Sequence, residues 1–277
     1  MRIDAHHHFW RYSADEYGWI DESKKSLQRD FLPTDLKVEL TASGIDGVVS
    51  VQARQSSEET RALLGYAAVN RWIRGVVGWV PLGDEILADV LEELCANRLL
   101  RGVRHVVQDE SDDRFMLQPN FVHGISRLAQ YNLVYDLLVL PQQLAAAIEL
   151  VDQFPSQVFV LDHIAKPKIE IRRIDAAWQL PFIELAKREN VYCKFSGVIT
   201  EVRDERWGIE TIKPYWDIAL EAYGSKRLMF GTDWPVCLLR GSYSQWTEVI
   251  AELSSKLSPT ELASVWGQTA IKAYSLD

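Results

Sequence analysis

Cysteine is scarce: Cys95, Cys193 and Cys237 are the only three in 277 residues. They are odd in number, far apart and set among apolar neighbours, which rules out a disulfide framework as the organising principle and points to a reducing, cytoplasmic setting. Basic residues are also in deficit, with 30 Lys and Arg against 39 Asp and Glu, a net charge of −9. No run of Lys and Arg exceeds a pair, so phosphate backbones find no docking face and nucleic acid is not an expected partner. No apolar stretch approaches the ~20 residues that cross a bilayer, and the N-terminus lacks the basic and apolar segments of a signal peptide. Membrane partners are therefore not expected either. Linkers rich in Gly and Ser, low-complexity tracts and strong repeats are missing too, so one domain over residues 1–277 is expected. What remains is an ordinary globular composition, 47% hydrophobic and 25% charged, able to bury a large core.

Short apolar runs of β character alternate with longer segments of helical spacing along the whole chain. That rhythm calls for parallel strands joined by helical crossovers. The strand candidates are Arg2–His8, Gly47–Ala53, Gly75–Val80, Gly102–Val107, Val134–Val139, Val158–His163, Val191–Gly197 and Arg227–Asp233. Helix starts are marked by Pro33-Thr34-Asp35, Ser56-Ser57 and Ser258-Pro259. Eight units of about 35 residues suit a (β/α)₈ TIM barrel, the predicted fold class. Joins from helix to strand are tight, as at Ser43-Gly44-Ile45, whereas Phe9–Leu32, Gln108–Gln118, Ile164–Ala177 and Val198–Thr211 are long. All four follow strands, so they gather at the barrel end where active sites form. The first carries Trp10, Tyr12, Tyr17 and Trp19, rings that either wall a pocket for a small cyclic molecule or anchor the loop.

By the two-residue period of a strand, Asp4, His6 and His8 share one face, predicted to be the barrel interior, with Ile3, Ala5 and His7 toward the helices. His163 and Asp233 end apolar runs, where a polar residue needs a reason; Asp233 is also placed to cap the helix after it. Two imidazoles on one strand, a third on another and a carboxylate on the last can hold a cation or face an oxyanion. The same alternation turns inward Ser50, Gln52, Arg104, Asp136, Lys194 and Ser196, and leaves His105 outward; His123 sits in a helical segment. Lys166 lies just beyond His163, free to meet an anionic or hydroxyl group.

Five motifs in order carry a resemblance: Asp4-Ala5-His6-His7-His8-Phe9-Trp10, Gly102-Val103-Arg104-His105, Leu161-Asp162-His163-Ile164-Ala165-Lys166-Pro167, Lys194-Phe195-Ser196-Gly197 and Phe230-Gly231-Thr232-Asp233-Trp234-Pro235. Together they resemble the amidohydrolase-related branch of the amidohydrolase superfamily, and within it the sugar-lactone hydrolases of the L-fuconolactonase and L-rhamnonolactonase type. The resemblance implies a hydrolase that opens a small lactone, with Asp233 as general base and His163 and Arg104 beside it in catalysis. It implies substrate contacts from Lys166, Gln52, Lys194 and Trp234. It also implies either one divalent metal, zinc foremost, on His6, His8, His163 and Asp233, or a reaction that needs none. The fifth strand candidate offers neither the lysine nor the histidine that commonly completes a two-metal centre. Rival expectations are a metal-dependent decarboxylase of the same branch and a Schiff-base aldolase with Lys194 as nucleophile.

Overall fold

Strands rich in Val, Ile and Leu that are buried on both faces pair in parallel when helices carry the chain back between them. The computed structural model, which describes residues 1–171 and 173–277, has this form. Arg172, inside the 164–177 loop, lies outside the described residues. Eight described strands, β1 (Ile3–His7), β2 (Gly47–Val51), β3 (Ile73–Gly78), β4 (Leu100–His105), β5 (Val134–Leu137), β6 (Phe159–Leu161), β7 (Val191–Phe195) and β8 (Leu228–Phe230), pair in parallel in sequence order. The barrel closes just past β8, where Asp233 N donates to His6 O at 2.8 Å and His8 N to Trp234 O at 2.7 Å. The expected TIM barrel is the observed fold. No helix among the described residues is long and apolar enough to cross a membrane.

Each strand candidate corresponds to an observed strand, with two systematic differences. β3 and β4 begin two residues early, because Ile73 and Leu100 already pair with their neighbours while the Arg after each points away. At the other end, His8, Gln52, His163 and Asp233 fall beyond the ladders, so the strand ends are shorter than the apolar runs suggest. The helices start where their caps lie. Pro33 opens α1 (Pro33–Ser43), the Ser56 hydroxyl accepts from Glu59 N before α2 (Ser57–Val69), and Ser258 forms a capping box with Glu261 at α3 (Pro259–Ala263).

Two apolar layers share the strands. Val48, Val103, Leu137, Phe159 and Cys193 pack outward against helices, whereas Ile3, Ala5, Val49, Val77, Val160 and Met229 fill the barrel floor. Tyr274 and Leu276, from the last turn of the chain, join the inner layer and plug the barrel from below. This overturns one expectation for β1. A register break between Asp4 and His7 puts Ala5 and His6 successively inside, and turns Asp4 outward. Asp4 there accepts from Thr232 N (2.9 Å), Thr232 Oγ1 (2.6 Å) and Tyr243 OH (3.0 Å). It ties β1 to the segment that presents Asp233. Ser50, also expected inside, faces outward with its hydroxyl 2.9 Å from His7 Nε2.

Gly124, on the helix after β4, tests how rigid this outer layer is, since an added Cβ would lie 2.1 Å from Leu82 O. Backbone cannot yield that far cheaply, so Gly124→Ala should lower stability by about 1–3 kcal/mol, seen as a lower urea midpoint at unchanged slope. An unchanged midpoint would show that the helix slides freely.

Candidate active site

Polar side chains at the upper end of a barrel need partners, because an unpaired buried charge costs several kcal/mol. Beneath the mouth the pairing is dense. Lys194 Nζ donates to Asp136 Oδ2 at 2.5 Å and lies 3.0 Å from Asp162 Oδ1, while Arg104 Nη1 donates to Asp162 Oδ2 at 2.9 Å. Tyr274 OH reaches up to donate to Asp136, 2.8 and 2.9 Å from its two oxygens. Two carboxylates and two cations thus balance inside the barrel. Burial alone would push the Asp162 carboxyl up, yet Lys194, His6 and Arg104 outweigh it and hold it well below 3.8. Asp136 ends near 6, raised by burial more than Lys194 lowers it.

His6 lies on this stack. Burial holds its imidazole neutral, with a pKa well below 6.5, so the ring carries one proton. Arg104 Nη1, which can only donate, is 3.3 Å from Nε2, so that nitrogen accepts, while Nδ1 lies 3.3 Å from both Asp162 Oδ1 and Lys194 Nζ. His8 Nδ1 donates to Val51 O at 2.9 Å, which leaves its Nε2 bare. The two Nε2 atoms face each other at 3.2 Å, and Asp233 Oδ1 stands 3.1 Å from that of His8 and 3.7 Å from that of His6. Three lone-pair atoms so close together call for a positive charge among them, either a shared proton or a cation. Nitrogen and carboxylate donors with an open side form the donor set that zinc accepts, so these residues fit a single divalent ion.

His163 Nε2 completes the ring of groups at 4.0 Å from Asp233 Oδ1, and its Nδ1 lies 2.9 Å from Ser196 Oγ. Burial lowers its pKa to about 4. Burial also pushes the Asp233 carboxyl up, but His163, His8 and Lys166 outweigh it and keep the group below 3.8. Asp233 is therefore a carboxylate ready to take a proton at neutral pH. Gly197 holds the space between the two: with φ +63°, it sits where a Cβ would come 2.6 Å from His163 Nδ1 and 3.0 Å from Asp233 Oδ2.

Above these groups opens a cavity of about 1010 Å³, with His8, Arg104, His163, Lys166 and Asp233 on its wall and His6 just below. Three residues expected to touch substrate stand elsewhere. Lys194 is wholly buried beneath the floor between two carboxylates, the reverse of the accessible free amine that a Schiff base needs. Gln52 is buried with its amide 3.4 Å from Arg104 O, and Trp234 packs edge-on against Phe31 (5.3 Å) under the first long loop. Of the aromatic residues in that loop, Trp19 reaches the cavity wall, whereas Trp10 is buried against Tyr17 and Phe31 as an anchor. His105, expected to be structural, stacks on Phe115 at 5.1 Å and pairs with Glu110 at 2.7 Å.

Asp162 escaped the reading of the sequence, although Val158, Val160 and Asp162 follow the inward period as clearly as Lys194 does. Gln108, Arg54 and Glu201 were also missed; they sit on loops, where no period marks them.

A family model described as Amidohydrolase matches residues 3–276. An L-fucono-1,5-lactonase of Burkholderia multivorans is 39% identical over 287 residues, spanning 100% of this chain and 96% of the relative. An L-fucono-1,5-lactonase of Burkholderia ambifaria is 34% identical over 281 residues, with the same coverage of 100% and 96%. Among solved structures, an amidohydrolase of Burkholderia multivorans crystallised with bound zinc superposes with a TM-score of 0.96 at 38% identity, covering 100% of both chains.

Lys194 offers a test of the buried stack. Lys194→Met leaves Asp136 and Asp162 without their shared cation, and stability should fall by about 3–5 kcal/mol in equilibrium unfolding. A loss under 1 kcal/mol would mean that water reaches the stack.

Proposed function

The chain belongs to the amidohydrolase family, and we propose that within it the protein hydrolyses the ester of a small sugar-acid lactone. The observation that carries this reading is Asp233, a low-pKa carboxylate ringed by His6, His8 and His163 at the floor of an open cavity with room for a small sugar lactone. Water held beside Asp233 gives its proton to the carboxylate as its oxygen attacks the lactone carbonyl carbon. The carbon–oxygen ring bond then breaks, and the ring oxygen takes the proton back from Asp233 to leave as a hydroxyl. The carbonyl oxygen gathers negative charge meanwhile. His163, with the Ser196 hydroxyl donating to Nδ1, presents Nε2–H to it, and Arg104 adds a positive charge on the wall.

His6, His8, His163 and Asp233 would hold a divalent ion, for which zinc is the best match of donor set and for which the zinc-bound relative is a precedent. Bound there, the ion would supply Lewis acidity toward the carbonyl. In that state His163 bears its proton on Nδ1, toward Ser196, instead of on Nε2. Lys166 contacts ring substituents at the wall. The protein on this view is a cytoplasmic enzyme of carbohydrate metabolism built as a single domain, acting on a small molecule. The decarboxylase alternative is weaker, since the two relatives of 34–39% identity are named lactonases.

Acid release from a panel of sugar-acid lactones, followed with a pH indicator before and after chelation and zinc replenishment, tests both parts. Silence across the panel would sink the lactonase reading; loss on chelation with recovery on zinc would make the ion a participant, and an unchanged rate would assign carbonyl polarisation to His163 and Arg104. Asp233→Asn should fold normally and lose at least about a hundredfold in kcat. With Asp233 held below 3.8, protonation of the base stops the reaction only in strong acid. The kcat/KM profile should therefore stay level from neutrality to about pH 5 and fall near pH 4 and below. An acid limb centred between pH 6 and 7 would place the base elsewhere.

A further inference from the structure

The loops after β6 and β7 are stitched together. Ile169 N donates to Glu201 O at 3.1 Å, and Arg203 N donates to Ile169 O at 2.9 Å. Glu201 ends the short 3₁₀ turn Val198–Glu201 that follows Gly197, so this lacing fixes where its side chain starts. On the facing loop, four successive residues that are not glycine have positive φ: His163 (52°), Ile164 (49°), Ala165 (59°) and Lys166 (49°). A left-handed turn of L-residues costs on the order of 1–2 kcal/mol per residue, so it persists only where surrounding structure enforces it. Here it brings both His163 and Lys166 to the cavity wall, where Glu201 also stands.

Lys166 Nζ donates to Gln108 Oε1 at 3.0 Å and lies 3.5 Å from Glu201 Oε1; Arg203 Nη2 lies 3.8 Å from Glu201 Oε2. These two cations neutralise and orient the carboxylate at ion-pair range. Among the described residues neither oxygen accepts a hydrogen bond, although the side chain is only 12% exposed. Other wall cations are paired likewise, Arg54 with Glu16 and Arg104 with Asp162. A carboxylate on the substrate would have to displace one of these partners. A pair of neighbouring hydroxyls would find in Glu201 two adjacent acceptors, held in place and supplied with no other donor.

We propose that Glu201 is the specificity-determining residue that accepts hydrogen bonds from two ring hydroxyls of an uncharged lactone, with Lys166 and Arg203 positioning its carboxylate. The inference rests on the lactonase reading and deepens it. Two lactones of equal ring and methyl content separate the contact from the chemistry: the 1,5-lactone of a 6-deoxyhexonic acid, and δ-hexanolactone, which lacks its hydroxyls. Glu201→Ala should cut kcat/KM on the hydroxylated lactone on the order of tenfold to a hundredfold, and change it less than about twofold on δ-hexanolactone. Glu201→Gln, which keeps one acceptor and the shape, should fall between wild type and Ala on the hydroxylated lactone alone. Equal losses on both lactones, or none on either, would overturn the assignment. Calorimetry with the matching 1,5-anhydro-6-deoxyhexitol, which keeps the hydroxyls and has no carbonyl, reads the same contact without turnover. Affinity that drops about tenfold or more in Glu201→Ala supports the assignment even if no lactone is hydrolysed, an outcome that would sink the lactonase reading by itself; equal affinity overturns it.

Discussion

The ion pairs of Lys194 with Asp136 and Asp162 are the constraint around which the upper barrel is arranged. Their charges lie where a barrel of this size normally holds branched apolar side chains, and each would be costly alone. Arg104 supplies the second cation, Tyr274 a hydroxyl from below, and the Nδ1 side of His6 meets what remains of Asp162. Arg104 also meets Nε2 of His6 at 3.3 Å, so the stack fixes the ring from both sides. Asp233 Oδ1 stands 3.1 Å from His8 Nε2 and 3.7 Å from His6 Nε2, above that stack. A negatively charged base above a balanced stack is the electrostatic state the site presents to a substrate.

The barrel was legible because its signal is repeated. Eight apolar runs, each followed by helical spacing, survive an error of two residues at any one boundary, and β3 and β4 carry such an error. His163, Asp233 and Arg104 were legible because a polar residue at the end of an apolar run has to be explained. Asp4 was misplaced for a physical reason: the strict period of two fails where β1 breaks register, and Ala5 and His6 both turn inward. Lys194 was placed on the correct face and at the wrong depth, since periodicity gives a direction and says nothing about how far below the mouth a side chain ends. Glu201 and Gln108 had no periodic neighbours to betray them. Their positions come from the lacing of Ile169 to Glu201 and Arg203, a contact across 32 residues or more that no local pattern encodes.

Strain and support are set side by side in the two loops that face each other over Asp233. The run from His163 to Lys166 adopts a conformation that L-residues avoid, and it is held by Trp178 Nε1 donating to Ile164 O at 2.7 Å and by Ser196 at the His163 ring. Gly197 lets the opposite loop approach both groups, since any side chain there would press on the His163 ring and on Asp233. A flexible loop would reach many orientations of His163 and Lys166, whereas this one is confined to a single arrangement before any ligand arrives. Such preorganisation is what lets dipoles and charges act on a reacting carbonyl without first being rearranged.

Tyr274 has a further meaning in time. Its hydroxyl completes the hydrogen bonding of Asp136 deep in the barrel, yet it follows β8, the last of the described strands. Synthesis runs from the N-terminus, so all eight strands are made before the residue that satisfies their interior and helps to plug their floor. The nascent barrel must wait with its polar interior incompletely satisfied, and a chain lacking Tyr274 would carry every catalytic group and still lack the foundation on which they rest.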